Sequence, residues 1–513
     1  MAQITRRDFL KLAGGALAGS LVSSKLTSLA QGDKDSPNII IILCDALSAR
    51  HMSLYGYPRE TTPYISAFAD RATVFHQHIS GGNFTSTGTA SLLTGMFGWK
   101  HRAINQGGLV LPEYAKTNPY SLLSTDYFKF AFSQNPWSDR LIGQNSRAVD
   151  KFLPVTSYSL REENPISRIF KNDRTLASIA LDDFMIPVQG DTPGSSIISA
   201  YYKKKAMDTF LKDKNKSARY PDGLPEILIG GYVAPYLNES VYNGVYEEVS
   251  QLEASSQPYF AYFHLFSPHF PYSPRREYLK LFRDDFSPPL KPIHPLSPRL
   301  HKDFIASRRT AYDRQVAQID EEFGRLIAKL DKLEALANSY LIFTADHGEL
   351  FERGFSGHGF QFMYEGALHT PLLIHAPGQA SRVDIHTPTS AVDLLPTLLC
   401  ITGKDIPTDI DGKVLPTFGG DEDTERPIFS VYAVDNSAFG PLKKCVIAMR
   451  KGAHKLIAYL GYKNYDEVFE LYNIETDPEE LFDLAAKELG LLSKLKQEFK
   501  AHLEEANKPF AKT

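Results

Sequence analysis

The chain has 513 residues, of which 23% are charged, and its formal net charge is -4. A length of this order allows two to four domains at roughly 100 to 200 residues each. The near balance of charge gives no sign of a nucleic-acid partner or of a polybasic patch for a membrane surface. The three cysteines, Cys44, Cys400 and Cys445, each lie in an apolar run, which predicts buried thiols rather than a disulfide framework.

The N-terminus has the pattern of an export signal. Arg6 and Arg7 precede a Gly- and Ala-rich, weakly apolar stretch that is shorter than the ~20 apolar residues needed to cross a bilayer. Residues 1–30 are therefore predicted to be a twin-arginine signal peptide. The expected partner is the twin-arginine export machinery, and the expected destination is the periplasm or the medium, with no transmembrane segment in the mature chain. The alternative is a frayed amphipathic helix.

The first half of the mature chain contains strand-like runs that end in polar residues. Asn38–Asp45 is a fully apolar run ending in an acid, as expected of a buried parallel strand that delivers a carboxylate to the sheet edge. The next predictions are a helix at Pro63–Asp70, a helix beginning at Ala90–Leu93, and a strand within Phe128–Trp137. From 150 to 257 the pattern weakens, so only insertions and helices over the sheet are expected there.

The second half alternates strand, helix and strand before its character changes. The predicted elements are a strand at Pro258–Phe266, a proline-dense loop at Phe286–Pro298, an amphipathic helix at Tyr312–Leu336, a strand at Ser339–Asp346, and short antiparallel strands from about Arg426 followed by a helix at Lys487–Asn507. This order predicts an α/β fold with a mostly parallel central sheet and helices on both faces. A catalytic domain at 31–425 and a small C-terminal α+β subdomain at 426–513 are expected.

Four side chains with ligand or nucleophile chemistry are predicted to meet at one edge of this sheet. Asp45, Asp346 and His347 follow strands, and Thr85 lies on a loop that enters a helix. Carboxylates, an imidazole and a hydroxyl suit Zn²⁺ or Mn²⁺, and suit Ca²⁺ less. One divalent metal is therefore predicted. Taken singly, each residue also has an ordinary structural interpretation as a turn cap, a turn or a loop threonine.

The segment Asn83–Gly95, NFTSTGTASLLTG, resembles the sulfatase signature, in which C-x-P-S-R precedes a small residue, an apolar run and T-G. Other segments follow in the family's order: Tyr55–Pro63, His264–Tyr272, Phe343–Phe351, Gly357–Gly378, Ser390–Gly403 and Glu470–Ala485. The chain thus resembles the sulfatase branch of the alkaline phosphatase superfamily over nearly its whole mature length. The resemblance implies an alkaline phosphatase-like fold and a metal-dependent hydrolase of phosphoric or sulfuric esters.

The same resemblance implies a role for two further histidines. His269 in SPHFPY and His358 in GHG match positions similar to the family's substrate-binding histidines. Each is expected to protonate the leaving alcohol or to hold non-bridging oxygens. Their alternative is a structural role in the loop backbone. His264, on a strand, is expected to be a core residue rather than a catalytic one.

The departures from the family bear on the chemistry. Thr85 stands where the family has the cysteine that becomes formylglycine, Thr89 where it has an arginine, and Ala46 where it has the second acid of a D-D pair. A sulfated threonine could not expel sulfate by collapsing to an aldehyde, as formylglycine does. A phosphothreonine, in contrast, can be hydrolysed by attack at phosphorus. The site therefore resembles that of threonine-nucleophile phosphoethanolamine and phosphoglycerol transferases.

The resulting hypothesis is a phosphoesterase, and more specifically a phosphodiesterase, with Thr85 as the metal-bound nucleophile. Its substrate would be a small-molecule, glycan-linked or lipid-linked anionic ester. Three alternatives stay open: transfer to an acceptor alcohol, a sulfuric ester hydrolase that uses Thr85 only as a ligand, and a binding relative without turnover.

Overall fold

The computed structural model describes residues 36–160, 218–221, 223–229 and 232–511. The predicted signal peptide at 1–30 and much of the unassigned segment 150–257 lie outside the described residues. Within these ranges, the longest helices carry too many polar and charged residues for any of them to cross a membrane.

Eighteen strands are numbered here in chain order. They are β1 Asn38–Cys44, β2 Thr73–Phe75, β3 His78–Ile79, β4 Phe128–Ser133, β5 Lys151–Leu153, β6 Glu226–Ile229, β7 Tyr232–Pro235, β8 Tyr259–Leu265, β9 Ser339–Thr344, β10 Leu350–Glu352, β11 Phe355–Gly357, β12 Leu372–His375, β13 Val383–Ile385, β14 Thr389–Ser390, β15 Ile428–Tyr432, β16 Cys445–Lys451, β17 His454–Leu460 and β18 Val468–Asn473.

Ten α-helices are numbered in the same way. They are α1 Pro63–Ala69, α2 Thr85–Thr94, α3 Gly98–His101, α4 Pro119–Leu122, α5 Pro136–Gly143, α6 Asn238–Glu253, α7 Lys302–Lys332, α8 Glu365–Leu368, α9 Leu394–Ile401 and α10 Leu489–Asn507.

An eight-stranded sheet forms the centre of the molecule, in the order β13-β2-β12-β9-β1-β8-β4-β5. Strands β9, β1, β8, β4 and β5 pair in parallel. Strand β12 runs antiparallel to both of its neighbours, so the sheet is mostly parallel. The predicted α/β architecture is confirmed.

Helices cover both faces of the sheet because alternate residues of β1 point to opposite sides. Ile40 and Ile42 belong to a core with α1, α6 and α7, whereas Ile39 and Ile41 belong to a second core that includes residues of α2 and α9. Both sides of β1 are therefore apolar, as its continuous hydrophobic run requires.

The C-terminal part forms a separate antiparallel sheet, β15-β16-β17-β18, and α10 packs on it through Leu495 and Phe499. Strands and a terminal helix were predicted here, and the small α+β unit is present. A domain boundary between residues 425 and 426 would fall just before β15 and remains a proposal.

Two predicted helix starts are wrong. Helix α2 begins at Thr85 rather than at Ala90, and all ten of its residues are buried. Helix α7 begins at Lys302 rather than at Tyr312. In α2 the Thr, Ser and Gly residues have low helix propensity, and burial against the sheet overrides that preference.

Candidate active site

The carboxyl ends of four neighbouring strands supply the site. Strands β9, β1, β8 and β4 are adjacent in the sheet, and Leu43 lies level with both Thr344 and His264. Asp346 and His347 follow β9, and Asp45 follows β1. Parallel strands end at a common edge, where open α/β sheets bind ligands. The sequence prediction that these residues meet agrees with this geometry.

Asp45, Asp346 and His347 form a cluster that could hold a metal ion, because their ligand atoms all lie within 4.8 Å of one another. The His347 Nε2 atom lies 3.5 Å from Asp45 Oδ1 and 3.7 Å from Asp346 Oδ2. Ligand bonds of about 2.0–2.2 Å around a tetrahedral Zn²⁺ give separations of about 3.4 Å between ligand atoms. The spacing fits one shared cation.

The hydrogen bonds around this cluster orient each residue so that one ligand atom faces the other two residues. Asp346 Oδ1 accepts from the Ala46 and His347 backbone N–H groups at 3.2 and 2.9 Å. His347 Nδ1 lies 2.8 Å from the Gly348 carbonyl oxygen, to which it donates, so that Nε2 is the ring atom that faces the two carboxylates. Asp45 Oδ1 and Asp346 Oδ2 are buried and have no hydrogen-bond partner among the described residues. Buried unpaired carboxylate oxygens are costly, so a cation fits here.

Thr85 is the first residue of helix α2 and is buried. Its Oγ1 accepts a hydrogen bond from Asn135 Nδ2 at 3.0 Å and lies 3.5 Å from His347 Nε2. The preceding Phe84 provides no side-chain cap, so the helix start offers free N–H groups and a positive dipole end. The predicted nucleophile thus lies beside the three candidate metal ligands, at a helix N-terminus that favours a bound anion.

Asn135 is a site residue that the sequence analysis missed. Its Nδ2 donates to Asp45 Oδ2 at 2.5 Å as well as to Thr85 Oγ1. It follows β4, at the same sheet edge as Asp45. A polar residue after the predicted strand Phe128–Trp137 was the available signal, but an asparagine there is also a common helix cap, and its side chain caps α5.

His264 was expected to be a core residue, and its burial agrees with that expectation, but its ring also contacts the ligand carboxylates. The side chain is fully buried, yet its Nε2 lies 3.2 Å from Asp45 Oδ2 and 3.8 Å from Asp346 Oδ2. Its Nδ1 lies 3.2 Å from the Tyr262 hydroxyl. His264 is near the end of β8, between β1 and β4, so its position in the strand carries it to the site edge.

Gly88 allows α2 to pack close to the candidate metal ligands. A Cβ atom at this position would lie 2.2 Å from the Asp346 carbonyl oxygen, which is far inside van der Waals contact. Ser80 Oγ also donates to that carbonyl. The absence of a side chain at Gly88 therefore allows helix α2 to approach the end of β9.

His269 and His358 lie next to each other beside this cluster. Both are half-buried, whereas Asp45 and Asp346 are fully buried. Their ring centroids are 4.7 Å apart, and the His358 ring lies 4.4 Å from that of His347. His358 Nδ1 is 2.9 Å from Glu349 Oε1, and His269 Nδ1 is 2.6 Å from the Phe270 carbonyl oxygen. Glu349 is a second residue that the sequence analysis missed, although it closes the run Asp346-His347-Gly348.

The surroundings separate the pKa values of these two histidines. Burial lowers the pKa of His358, but the Glu349 carboxylate outweighs burial and the pKa is raised. Burial lowers the pKa of His269, and the neighbouring His358 lowers it further. Burial alone would raise the pKa of Asp45, but His269, His264 and His347 hold it well below its usual range. When the surroundings separate the pKa values of two neighbouring groups, the group with the higher pKa can serve as the acid and the other as the base. His358 therefore suits the role of general acid.

Comparison with known families agrees with this geometry. The Sulfatase family model matches residues 37–404, which is most of the described chain. The chain belongs to the sulfatase family. A second model, N-sulphoglucosamine sulphohydrolase, C-terminal, matches residues 354–508 of this sulfatase-family protein.

Individual relatives carry the names of ester hydrolases. Choline-sulfatase of Rhizobium meliloti is 31% identical over 246 residues, 44% of this chain and 45% of that protein. The ulvan-active sulfatase of Formosa agariphila is 24% identical over 75% of this chain and 65% of that protein. The chain spans less than half the length of choline-sulfatase and 33% of arylsulfatase K from Mus musculus.

Among solved structures, the phosphonate monoester hydrolase of Agrobacterium radiobacter has a TM-score of 0.61 and 21% identity, covering 92% of this chain and 96% of that one. The enzyme of that name from Silicibacter pomeroyi has a TM-score of 0.60 and 21% identity, with the same shares. These similarities show the alkaline phosphatase-like fold.

The structure shows the surroundings of two residues that differ from the sulfatase signature. Ala46, in place of the second acid, has φ 59° and orients Asp346 through its backbone N–H. Thr89, in place of the arginine, is buried, and its Oγ1 has no hydrogen-bond partner in the described part of the chain. Neither position therefore places a charged side chain at the site.

Proposed function

We propose that this sulfatase-family protein is a metal-dependent phosphoesterase, preferring a phosphodiester, with Thr85 as nucleophile. The observation that supports this most directly is the Asn135 amide, which joins Thr85 Oγ1 to Asp45 beside the unpaired Asp45 and Asp346 oxygens. A divalent cation held by Asp45, Asp346, His347 and Thr85 would supply a Lewis acid that acidifies the threonine hydroxyl and screens substrate charge. The two carboxylates and the imidazole favour Zn²⁺ or Mn²⁺ over Ca²⁺.

The residues then act in two steps. Thr85 loses its hydroxyl proton to solvent, and Oγ1 attacks phosphorus while the ester P–O bond breaks. The leaving oxygen keeps the electron pair and takes a proton from the His358 imidazolium, whose pKa is raised by Glu349 despite burial. Water next attacks the phosphorus of phospho-Thr85, neutral His358 takes the proton of that water, and the Oγ1–P bond breaks with its electron pair on Oγ1, which regains a proton from solvent. His269, held through Nδ1 by the Phe270 carbonyl, presents Nε2 to a non-bridging oxygen.

Threonine at position 85 supports phosphorus rather than sulfur as the reacting atom. A formylglycine hydrate can expel sulfate by collapsing to an aldehyde, and threonine carries no second hydroxyl for that route. A phosphothreonine is opened by in-line attack of water. The described residues contain one such cluster of ligands, which fits a singly charged diester better than a doubly charged monoester. The substrate would be a small-molecule, glycan-linked or lipid-linked ester.

Hydrolysis of three nitrophenyl esters tests this function. The mature, metal-loaded protein is expected to cleave bis-nitrophenyl phosphate faster than nitrophenyl phosphate, and nitrophenyl sulfate most slowly. Thr85→Ala should abolish diester cleavage, because the attacking oxygen is gone, and Thr85→Ser should retain it. Preferential cleavage of the sulfate would overturn the phosphoester proposal and favour a sulfuric ester hydrolase. Product appearing only after addition of an acceptor alcohol would indicate a transferase.

A chelator treatment separates enzymes from binding relatives. Removal of metal should abolish diester cleavage, and Zn²⁺ or Mn²⁺ should restore it because the ligand atoms are already placed. A purified protein that takes up no metal would instead support a binding role without turnover.

The site of action is proposed to be the periplasm or the medium. Residues 1–30 carry the twin-arginine pattern. Replacing Arg6 and Arg7 by lysine should retain the full-length precursor in the cytoplasm, as fractionation followed by immunoblotting would show. Export that persists in this variant would contradict the twin-arginine route.

A further inference from the structure

Arg308, on α7, lies among aromatic rings next to the site. Its guanidinium carbon is 4.4 Å from the Phe270 ring centroid, 5.1 Å from that of Tyr272 and 5.6 Å from that of Phe304. Two of these rings are largely open to solvent, with Phe270 and Phe304 each 48% exposed. A guanidinium stacked on aromatic faces is held in a defined orientation.

The hydrogen bonds of Arg308 leave most of its donors unused. Nε donates to Ser356 Oγ at 2.9 Å. Over the ranges that the structure describes, neither Nη atom of Arg308 makes a hydrogen bond, and no carboxylate lies within ion-pair distance. Nearby cations differ in this respect, since Lys291 pairs with Glu352 at 2.6 Å and Arg59 pairs with Asp313 at 2.7 Å. Arg308 is therefore fixed in place while its fork of donors is available for an anion.

The position of Arg308 links it to the catalytic histidines. Phe270 follows His269 in the chain, and Ser356, in β11, lies two residues before His358. The rings of His269 and His358 are in mutual contact. Arg308, on α7, thus contacts both segments that carry these histidines, through the Phe270 and Tyr272 rings and through Ser356 Oγ. A group attached to the leaving oxygen, beside His358, would extend toward this surface.

We propose that Arg308, Phe270 and Phe304 form a leaving-group subsite for a ring that carries a second anionic group, such as a carboxylate or a sulfate. The inference rests on the proposed function of the site, because it assumes that the leaving oxygen faces His358. Phe270 and Phe304 supply apolar surface for the ring. Arg308 binds the second anion with its free Nη donors. The substrate class is therefore an ester of an acidic sugar or an acidic phenol.

Binding of two matched esters tests this subsite. The ligands are methyl 4-carboxyphenyl phosphate and methyl 4-carbamoylphenyl phosphate, which differ in the charge of one group of similar shape. Dissociation constants are measured by calorimetry on the metal-loaded mature protein carrying Thr85→Ala, so that turnover does not interfere. The carboxylate is expected to bind about 10-fold or more tightly than the carboxamide, as is usual for a hydrogen bond between charged groups.

Variants of Arg308 assign the preference to its guanidinium. Arg308→Gln should remove the preference, and Arg308→Lys should keep part of it, because charge is retained while the planar fork is lost. Phe270→Leu should weaken both ligands alike. Arg147→Gln, at an exposed position, is the control and should leave the preference unchanged. Equal binding of the two ligands, binding of neither, or a preference that survives Arg308→Gln would overturn the inference.

The results distinguish failure of the subsite from failure of the proposed function. If the proposed function is wrong, bis-nitrophenyl phosphate is not cleaved in a manner that depends on Thr85, while the carboxylate preference in binding still appears. If the subsite is wrong, the diester is cleaved in a manner that depends on Thr85, and charge on the leaving group makes no difference.

Discussion

At the scale of single residues, the site depends on which oxygen of each carboxylate is already occupied. Asp45 Oδ2 accepts hydrogen bonds from Asn135 Nδ2 and His264 Nε2, whereas Oδ1 has no hydrogen-bond partner among the described residues. Outer hydrogen bonds of this kind orient metal ligands and raise their affinity. Sequence analysis could find Asp45 because an acid after an apolar run is a strong signal. It could not find His264 or Asn135, because their contacts depend on the order of β1, β8 and β4 in the sheet.

Replacing His264 should therefore weaken metal binding without removing a predicted ligand. In His264→Phe, Asp45 loses a hydrogen bond at Oδ2 and becomes free to turn, so we expect the metal dissociation constant to rise by about 10- to 100-fold. His264→Gln should recover part of the affinity, since an amide can also donate. Competition with a chromophoric chelator measures the constant. Tyr262→Phe, which removes only the hydroxyl at Nδ1, serves as control and should have a smaller effect. An unchanged constant in His264→Phe would contradict this role.

At the scale of elements, the strands were easier to predict than the helix starts. Strand β1 is an unbroken apolar run with a polar end, and that pattern has few alternatives. Helix α2 consists largely of Thr, Ser and Gly at its start, so its first turn resembles a loop until the surrounding core is known. The first turns of α7 likewise lack a regular apolar stripe. Those turns carry Phe304 and Arg308, which is why the proposed subsite could not be predicted from the sequence.

The contact between α2 and β9 leads to a prediction for Gly88. In Gly88→Ala, the added methyl group would meet the Asp346 carbonyl oxygen at 2.2 Å, so the helix or the loop must move. Overpacking of this kind costs about 1–3 kcal/mol, and the displaced loop should also bind metal more weakly. Urea denaturation and the chelator assay measure both effects. Gly490→Ala is the matched control, because a Cβ there meets nothing within 4 Å and alanine favours its helix. Equal stability of the two variants would refute the close approach.

At the scale of the whole molecule, a buried ion cluster joins the central domain to the C-terminal sheet. Lys455 on β17 lies 2.8 Å from Glu365 Oε1, at the start of α8, and 2.8 Å from Glu480 Oε1. All three side chains are buried. The sequence shows three ordinary charged residues far apart in the chain, and nothing in their local pattern predicts that they meet. Their contact explains why the small sheet is fixed to the larger domain at a defined position.

The pH dependence of stability follows from this cluster. Burial alone would raise the pKa of Glu365, but Lys455 outweighs burial and lowers the pKa from 4.5 to about 2. A carboxyl whose pKa is lower in the folded state stabilises that state above its unfolded pKa. The stabilisation from Glu365 should therefore be complete above pH 4.5 and should be lost as the pH falls toward 2. Burial outweighs Lys455 at Glu480 and raises the pKa of that carboxyl, so its protonation in the folded state offsets part of this loss.

Lys455→Met tests the cluster directly. The variant leaves the Glu365 and Glu480 carboxylates buried without their cation, and breaking a buried pair in this way costs about 3–5 kcal/mol. We expect the free energy of unfolding at pH 7 to fall by that amount and the loss of stability between pH 4.5 and 2 to become shallower, because the carboxyls take up protons already in the folded state. Lys500→Met is the control, since Lys500 pairs with Glu467 at an exposed position and such pairs contribute little. If both variants unfold at the same denaturant concentration as the parent protein, the cluster does not hold the C-terminal sheet in place.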